Sequence, residues 1–473
     1  MTHSIMEVAL NRLQGGGKST AGSFGALLGG LCLLFSAHAL AVDTPPGPEV
    51  GAPTPNARHW VLWLAENANH GKASVLTSAS SLSLTTSSGD SVALQSPIDA
   101  AAQKWVAGPA SLPWTDLALQ LIVKYQQNPL RAARVLAHLH AAISDAIVRL
   151  AATSTAQALQ AIAVHAAASA VLAHFYPRES PGRIEATGIG VTLAVAAAGQ
   201  VSPEDLAQAR EVGRRAAADA ISRALDDGGD AIWNPADRPA VAPSMWRAAP
   251  PLNLHNPTEP LARKWRTWVL ADDTEVEVPP PPPPPPFGSE RYWKEASEVL
   301  EVSRALTAEQ KRIADEWNLD QGSVTPPGVW NRKAMSLITR HGMGTAAAAR
   351  VLAALNVAMS DALVACWQAK FKHWTVRPVN VIRDKLDAHF VPYLLTPPFP
   401  GYVSGHAATS GAAAEVLAAF FPEYAADVQA SADEAAMSRL YGGIHFRSDN
   451  DEGLRLGREV GRRVAKRSHA QPG

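Results

Sequence analysis

The chain is 473 residues long, 47% apolar and close to charge-neutral, with 42 basic against 43 acidic residues and a formal net charge of -1. That length can bury more than one core, which suits two domains or a duplicated one. The balance of charge excludes a surface built for nucleic acid or anionic lipid, so any anion site must be local.

Residues 1–41 read as an export signal: Arg12 and Lys18 form the positive region, Phe24 to Phe35 the apolar region, and Ala39-Leu40-Ala41 a small-x-small cleavage site before Val42. A buried amphipathic helix fits less well, because Gly15 to Gly17 and Gly29-Gly30 would break it. Cys32 is a poor lipoprotein anchor, since Leu31 stands where a small residue is expected and the apolar run continues past it. The mature chain then keeps only Cys366, which excludes an intrachain disulfide and reads as a small buried hydrophobe on an Ala-rich helix. The expectation is an exported protein, periplasmic or secreted. Past the signal no apolar run reaches a membrane span of about 18–20 residues, the longest being Ile189 to Ala198, so the mature chain is expected to be soluble without stable membrane insertion.

Residues 42–115 form an N-terminal extension that includes a Ser/Thr-rich stretch, Ser74 to Ser96, without periodicity and readable as a surface ribbon or loop. Ala/Leu-rich segments with apolar positions three and four apart dominate the rest, so the fold is mainly α. Three of these segments recur. Residues 134–147 match 350–363 at nine of fourteen positions with an offset of 216; 171–177 match 416–422 with an offset of 245; and Arg210 to Arg215 recur unchanged at 458–463, an offset of 248. Alanine-rich composition could produce the first match by accident, but not three in one order. The chain therefore reads as two related helical bundles, an internal duplication packed together. The divisions are 116–228 for a scaffold copy, 229–330 for a Pro-rich connection with short helices, and 331–473 for the second bundle. The connection holds eight consecutive prolines, Pro279 to Pro286, which cannot be helix and are expected to form a polyproline II spacer rather than a peptide-domain ligand.

The offsets also point to a site. Between the first and second matches the later copy carries 245 − 216 = 29 extra residues, between Leu363 and Val416. This insertion contains Lys370, Arg377, Pro378 and the run from Thr396 to Tyr402 that leads into Ser404. Lys370 and Arg377 are seven apart, two helical turns, with Pro378 ending the helix, so their side chains are expected to converge from one face. Ser404-Gly405-His406 stands where a helix begins, which offers free amides, the positive end of a macrodipole and a glycine that admits close backbone approach. Ser404 alone could be an ordinary N-cap. Arg439 and His445 flank Gly442-Gly443, a loop able to turn both inward, and Asp449 lies one turn past His445, placed to take one ring N–H and leave the other nitrogen as nucleophile or ligand. A capping or salt-bridge role is the plainer alternative for Asp449, as a solvated pair is for Lys370 and Arg377. Together the three clusters supply three cations, a hydroxyl, a glycine amide and two imidazoles, which suits holding a tetrahedral oxyanion, phosphate or vanadate, and doing acid–base chemistry on it.

The pattern K-x6-RP, SGH, SR-x5-H-x3-D resembles the three-part signature of the vanadium-dependent haloperoxidase and type 2 phosphatidic acid phosphatase (PAP2) superfamily. Trp367, Asp361-Ala362, Phe399 to Tyr402 and the proline run leading into Phe287-Gly288-Ser289 are similar to its exported bacterial haloperoxidase branch. The resemblance implies vanadate bonded to His445, with Lys370, Arg377, Ser404, Gly405 and Arg439 holding its equatorial oxygens and His406 near the axial one as the acid–base group. It implies hydrogen peroxide, a halide and an organic acceptor as partners, no haem and no nucleic acid, with a homodimer left open. The same residues could run a phosphatase on a phosphate ester, His445 forming a phosphohistidine, with no vanadate cofactor; a non-catalytic oxyanion-binding protein is the third reading. Two positions depart from the pattern: Val403 replaces the usual proline before SGH, and Val376 replaces the aromatic often found before Arg-Pro. Trp367, Trp374 and Phe399 are expected to fill the pocket instead.

Overall fold

A computed structural model describes residues 62–64, 105, 107–179, 182–240, 242–270 and 279–469. The signal at 1–41 with Cys32, the Ser74–Ser96 stretch and most of the extension lie outside them. Among the described residues there are thirteen α-helices and no strand, only an isolated antiparallel bridge between Met245 and Thr375.

The first copy consists of α1 (Ser111–Lys124), α2 (Pro129–Leu150), α3 (Gln157–Phe175), α4 (Arg183–Ala198) and α5 (Pro203–Asp226). The connection carries α6 (Glu290–Arg304) and α7 (Ala308–Glu316). The second copy is α8 (Thr325–Arg340), α9 (Thr345–His373), α10 (Pro378–Lys385), α11 (Gly405–Phe420), α12 (Ala425–Tyr441) and α13 (Arg447–His469). Starts follow local chemistry. Asn128 accepts from the amides of Leu130 and Arg131 with Pro129 in the first turn, Ser202 caps α5 ahead of Pro203, and Thr307 and Gln310 close a capping box on α7.

The duplication is visible in the packing. The three repeated segments fall on α2 and α9, at the ends of α3 and α11, and on α5 and α13. In each copy the first of these helices packs on the second, and the second on the third; α2 and α9 then pack on each other, so one apolar core runs through both copies. The repeated Arg-Glu-Val-Gly segment sets a helix spacing. A methyl at Gly213 would lie 2.2 Å from the Ala163 carbonyl oxygen, and one at Gly461 would lie 2.5 Å from that of Ala412. Two repeat-related carboxylates do matching work as well: Asp145 accepts the amides of Trp63 and Leu64, both at 2.9 Å, and Asp361 those of Trp268 and Val269, both at 2.8 Å. Each copy thus holds a Trp-containing segment on a buried aspartate, which brings residues 63–64 of the extension into the core.

Two expectations are corrected. The helices α3 and α9 are long and apolar enough to cross a membrane by length and composition, so Ile189–Ala198 is not the longest apolar stretch; scattered Ser, Thr and His hid the others. The apolar window of α9 is 94% buried in the protein, which marks it as the central core helix, and half of the α3 window is buried. The prolines at 279–286, read as a plain spacer, instead lean on the site: Pro281 is buried, and the Pro282 carbonyl accepts from the Tyr402 hydroxyl.

Candidate active site

The insertion and the α12–α13 turn meet in one buried cluster. Lys370 sits in the last turn of α9, which ends at His373 with Trp374 in the left-handed region at φ 49°. Arg377 therefore does not share a helix with Lys370, as its spacing suggested. Proline restricts the residue before it to extended backbone, and Pro378 opens α10 with Arg377 as its N-cap. The chain turns instead of running on, and both side chains still enter one site, each fully buried.

Lys370 Nζ donates to the carbonyls of Pro400 at 2.9 Å and Gly401 at 2.7 Å. Arg377 donates through Nε to the Phe399 carbonyl at 2.8 Å, and through Nη1 to the Ile444 carbonyl at 2.8 Å and to His445 Nε2 at 3.0 Å. Its Nη2 is buried without a partner. The Phe399 ring covers both cations, 4.8 Å from the guanidinium carbon and 5.2 Å from the ammonium, and packs on Trp367 at 5.0 Å. Trp374 packs against Phe371 and Trp246, while Val376, fully buried, joins Val379, Ile382 and Phe446 in a separate apolar cluster.

Ser404 is the N-cap of α11 as expected, fully buried, and its own amide donates to the Asp449 carbonyl at 2.8 Å. The Tyr402–Val403 peptide before it is cis. Gly405 faces Trp367, and Gly453 of α13 packs so closely that a methyl there would lie 2.7 Å from the Ser404 carbonyl oxygen. His406, in the first turn of α11, keeps part of its surface exposed, and its Nε2 lies 3.0 Å from the Trp317 carbonyl. The same oxygen accepts from Arg439 Nη2 at 2.7 Å, from the last turn of α12. Cys366 is buried as read, its Sγ donating to the Val403 carbonyl at 3.4 Å, and burial pushes its thiol up to about 11.

The pairing of His445 and Asp449 is the one their spacing suggested. His445 Nδ1 lies 2.9 Å from Asp449 Oδ2, and the same oxygen accepts the Phe446 amide at 3.1 Å. Nδ1–H donates to the carboxylate, so Nε2 keeps its lone pair, which Arg377 meets with an N–H. Burial, reinforced by Arg377, Lys370 and Arg439, drives the His445 pKa well below the ordinary imidazole value. Burial and the charges of Arg439, Lys370 and Arg377 do the same to His406, against a smaller opposing pull from the Trp317 carbonyl. Both imidazoles are neutral near pH 7. Burial pushes Asp449 up to about 7 against the pull of Lys370 and Arg377, and pushes Lys370 down to about 7 with help from Arg377.

Lys370, Arg377, His445 and Asp449 thus share one cluster under Phe399 and Trp367, His406 and Arg439 meet at the Trp317 carbonyl, Ser404 and Gly405 open α11, and Trp374 packs instead on Phe371 and Trp246. Sequence reading missed the Trp317, Phe399, Pro400, Gly401 and Ile444 carbonyls, because a main-chain acceptor carries no residue signature.

This arrangement has an excess of positive charge. Lys370, Arg377 and Arg439 are at most 3% exposed, and Asp449 is the carboxylate hydrogen-bonded within their cluster. Burying three basic side chains around one carboxyl lowers Lys370 toward its neutral form, a cost that an anion completing the set would relieve. The unpartnered Arg377 Nη2 and the His445 Nε2 lone pair, which takes an N–H from Arg377 Nη1, are suited to a small oxyanion, so the residues present fit vanadate or phosphate.

Comparison with known proteins places the fold. Residues 350–431 and 424–472 match the family model described as the VCPO second helical-bundle domain. A bacterial vanadium-dependent iodoperoxidase structure is 24% identical with a TM-score of 0.65, covering 77% of this chain and 98% of that one. The holo and apo structures of a bacterial vanadium-dependent chloroperoxidase are each 16% identical, with TM-scores of 0.54 and 0.55; each covers 72% of this chain, and 93% and 95% of their own. No curated protein sequence matches. The fold is that of the vanadium haloperoxidases. Residues 350–472 carry the match to the second helical-bundle domain, and the likeness to the solved structures is one of fold.

Proposed function

We propose that this cluster is the vanadate site of a haloperoxidase that oxidises halide with hydrogen peroxide: halide, peroxide and a proton give hypohalous acid and water. The carrying observation is the set of three buried basic side chains, Lys370, Arg377 and Arg439, beside His445 Nε2, in a chain with the fold of vanadium haloperoxidases. Lys370, Arg377, Arg439, the Ser404 hydroxyl and the Gly405 amide would hold the anion's oxygens, and His445 would supply the nitrogen ligand. Bound vanadate would supply Lewis acidity toward peroxide. Asp449 fixes the His445 tautomer, so that Nε2 is always the ligand nitrogen. His406, held neutral, can accept the proton that peroxide gives up and later return it to the departing water. Phe399 and Trp367 shield the cations from solvent, which strengthens their hold on charge. The hypohalous acid would go on to an organic acceptor. The signal reading puts this chemistry outside the cytoplasm, and mass spectrometry of the mature N terminus tests it, with cleavage before Val42 expected.

The deciding experiment supplies purified protein with vanadate, peroxide and iodide or bromide, and follows halogenation of a phenolic dye. Activity that vanishes in His445→Ala is expected. Hydrolysis of an aryl phosphate by the vanadate-free protein, with vanadate acting only as an inhibitor, would replace this reading with the PAP2 phosphatase. Vanadate binding with neither activity would leave an oxyanion-binding protein.

A further inference from the structure

The Trp317 carbonyl is where two site side chains meet, and neither α11 nor α12 supplies it. Trp317 caps the C-terminal end of α7, 89 residues before His406 and 122 before Arg439. Its indole Nε1–H donates to Glu434 Oε1 at 2.9 Å, and its ring packs against Trp330 with centroids 6.2 Å apart. Glu434 stands on α12, the helix that carries Arg439. One helix therefore holds Trp317 at both ends, through its indole and through its carbonyl, and leaves that oxygen aimed at His406.

A carbonyl oxygen only accepts hydrogen bonds. Neutral His406 must then carry its proton on Nε2, which leaves the basic lone pair on Nδ1. We infer that Trp317 and Glu434 are positioning residues that set the tautomer of His406 through the Trp317 carbonyl, making Nδ1 the nitrogen that exchanges protons at the site. This rests on the reading of His406 as the proton-handling group. Glu434 touches neither the anion site nor a reacting group; it acts only through Trp317.

The test uses full-length protein with 15N-labelled histidine, without vanadate, at neutral pH. Nitrogen shifts separate the Nε2–H form from the Nδ1–H form, and the His406 signal is assigned by its loss in His406→Gln. Wild type is expected to show Nε2–H alone. Glu434→Ala and Trp317→Phe each remove the indole tether, and each is expected to give mixed tautomers and to lower the kcat of halide oxidation roughly tenfold, the scale of one hydrogen bond. Glu434→Gln keeps an oxygen for the indole and should restore both readings, which a merely structural role would not require. An Nδ1–H signal in wild type, or an unchanged tautomer in both Glu434→Ala and Trp317→Phe, overturns the inference. A tautomer that responds as expected in protein without halide oxidation supports the inference and overturns only the haloperoxidase reading.

Discussion

Asp449 offers a test in which hydrogen bonding and charge make opposite forecasts. Its Oδ2 accepts both His445 Nδ1–H and the Phe446 amide. Asp449→Ala leaves both donors without this acceptor. His445 must then either bury an unpaired Nδ1–H or move the proton to Nε2, where an Arg377 N–H already points. Either outcome spoils the ligand nitrogen, at about 1–3 kcal/mol for an unsatisfied buried donor, and the loss of such an outer partner typically weakens a bound centre about 10–100-fold. Coulomb's law alone forecasts the reverse, since deleting a negative charge from a cationic site favours an anion. Hydrogen bonding should win, because burial raises Asp449 above the usual carboxylate range and so weakens the share of its charge in the site. Asp449→Asn separates the two, since its amide oxygen can take both donors while the charge is gone. Calorimetric titration with vanadate at pH 7, with near-UV circular dichroism to confirm folding, should show about 100-fold weaker binding for Ala and binding within about threefold of wild type for Asn, the scale left once the unsatisfied donor is avoided. Equal losses in Ala and Asn would refute the tautomer argument, and tighter binding in both would leave charge as the role of Asp449.

Three further outcomes follow from the packing and the charges. As pH rises through about 7, Lys370 loses its proton and Asp449 gains its charge, so both subtract positive charge from the cradle; vanadate affinity should fall across that range, and Lys370→Gln should flatten the curve. Gly457→Ala places a methyl 2.0 Å from the Ala408 carbonyl oxygen and should lower the melting temperature by the equivalent of about 3 kcal/mol, whereas Gly453→Ala presses on Ser404 and should weaken vanadate binding as well as stability, read by unfolding and titration together. Asp145→Ala strands two buried amides and should cost about 2–4 kcal/mol in denaturant unfolding, with faster proteolysis near residues 63–64.

Much of this protein could be read before its structure. Helical periodicity and the three matched segments fixed a duplicated α fold, and the excess length in the later copy pointed to where side chains leave the bundle. The connection between the first two repeated helices spans 151–156 in the first copy and 374–404 in the second, and the second supplies Arg377, Ser404 and the Phe399, Pro400 and Gly401 carbonyls. Spacing worked for His445 and Asp449, because both belong to one local turn. It failed for Lys370 and Arg377, where seven residues matched two helical turns but Trp374 closes the helix in a left-handed conformation and Pro378 forces Arg377 into extended backbone. Trp317 was beyond reach for another reason. Its contribution is a carbonyl, delivered from a different element, and only the tether from its indole to Glu434 marks it.

The central claim is that Lys370, Arg377, Arg439 and His445 enclose one oxyanion. Anomalous scattering from a crystal soaked in orthovanadate tests it most directly. A single vanadium bonded to His445 Nε2, with its oxygens on the three cations, is the predicted result; a vanadium bound elsewhere, or none at this cluster, would contradict it.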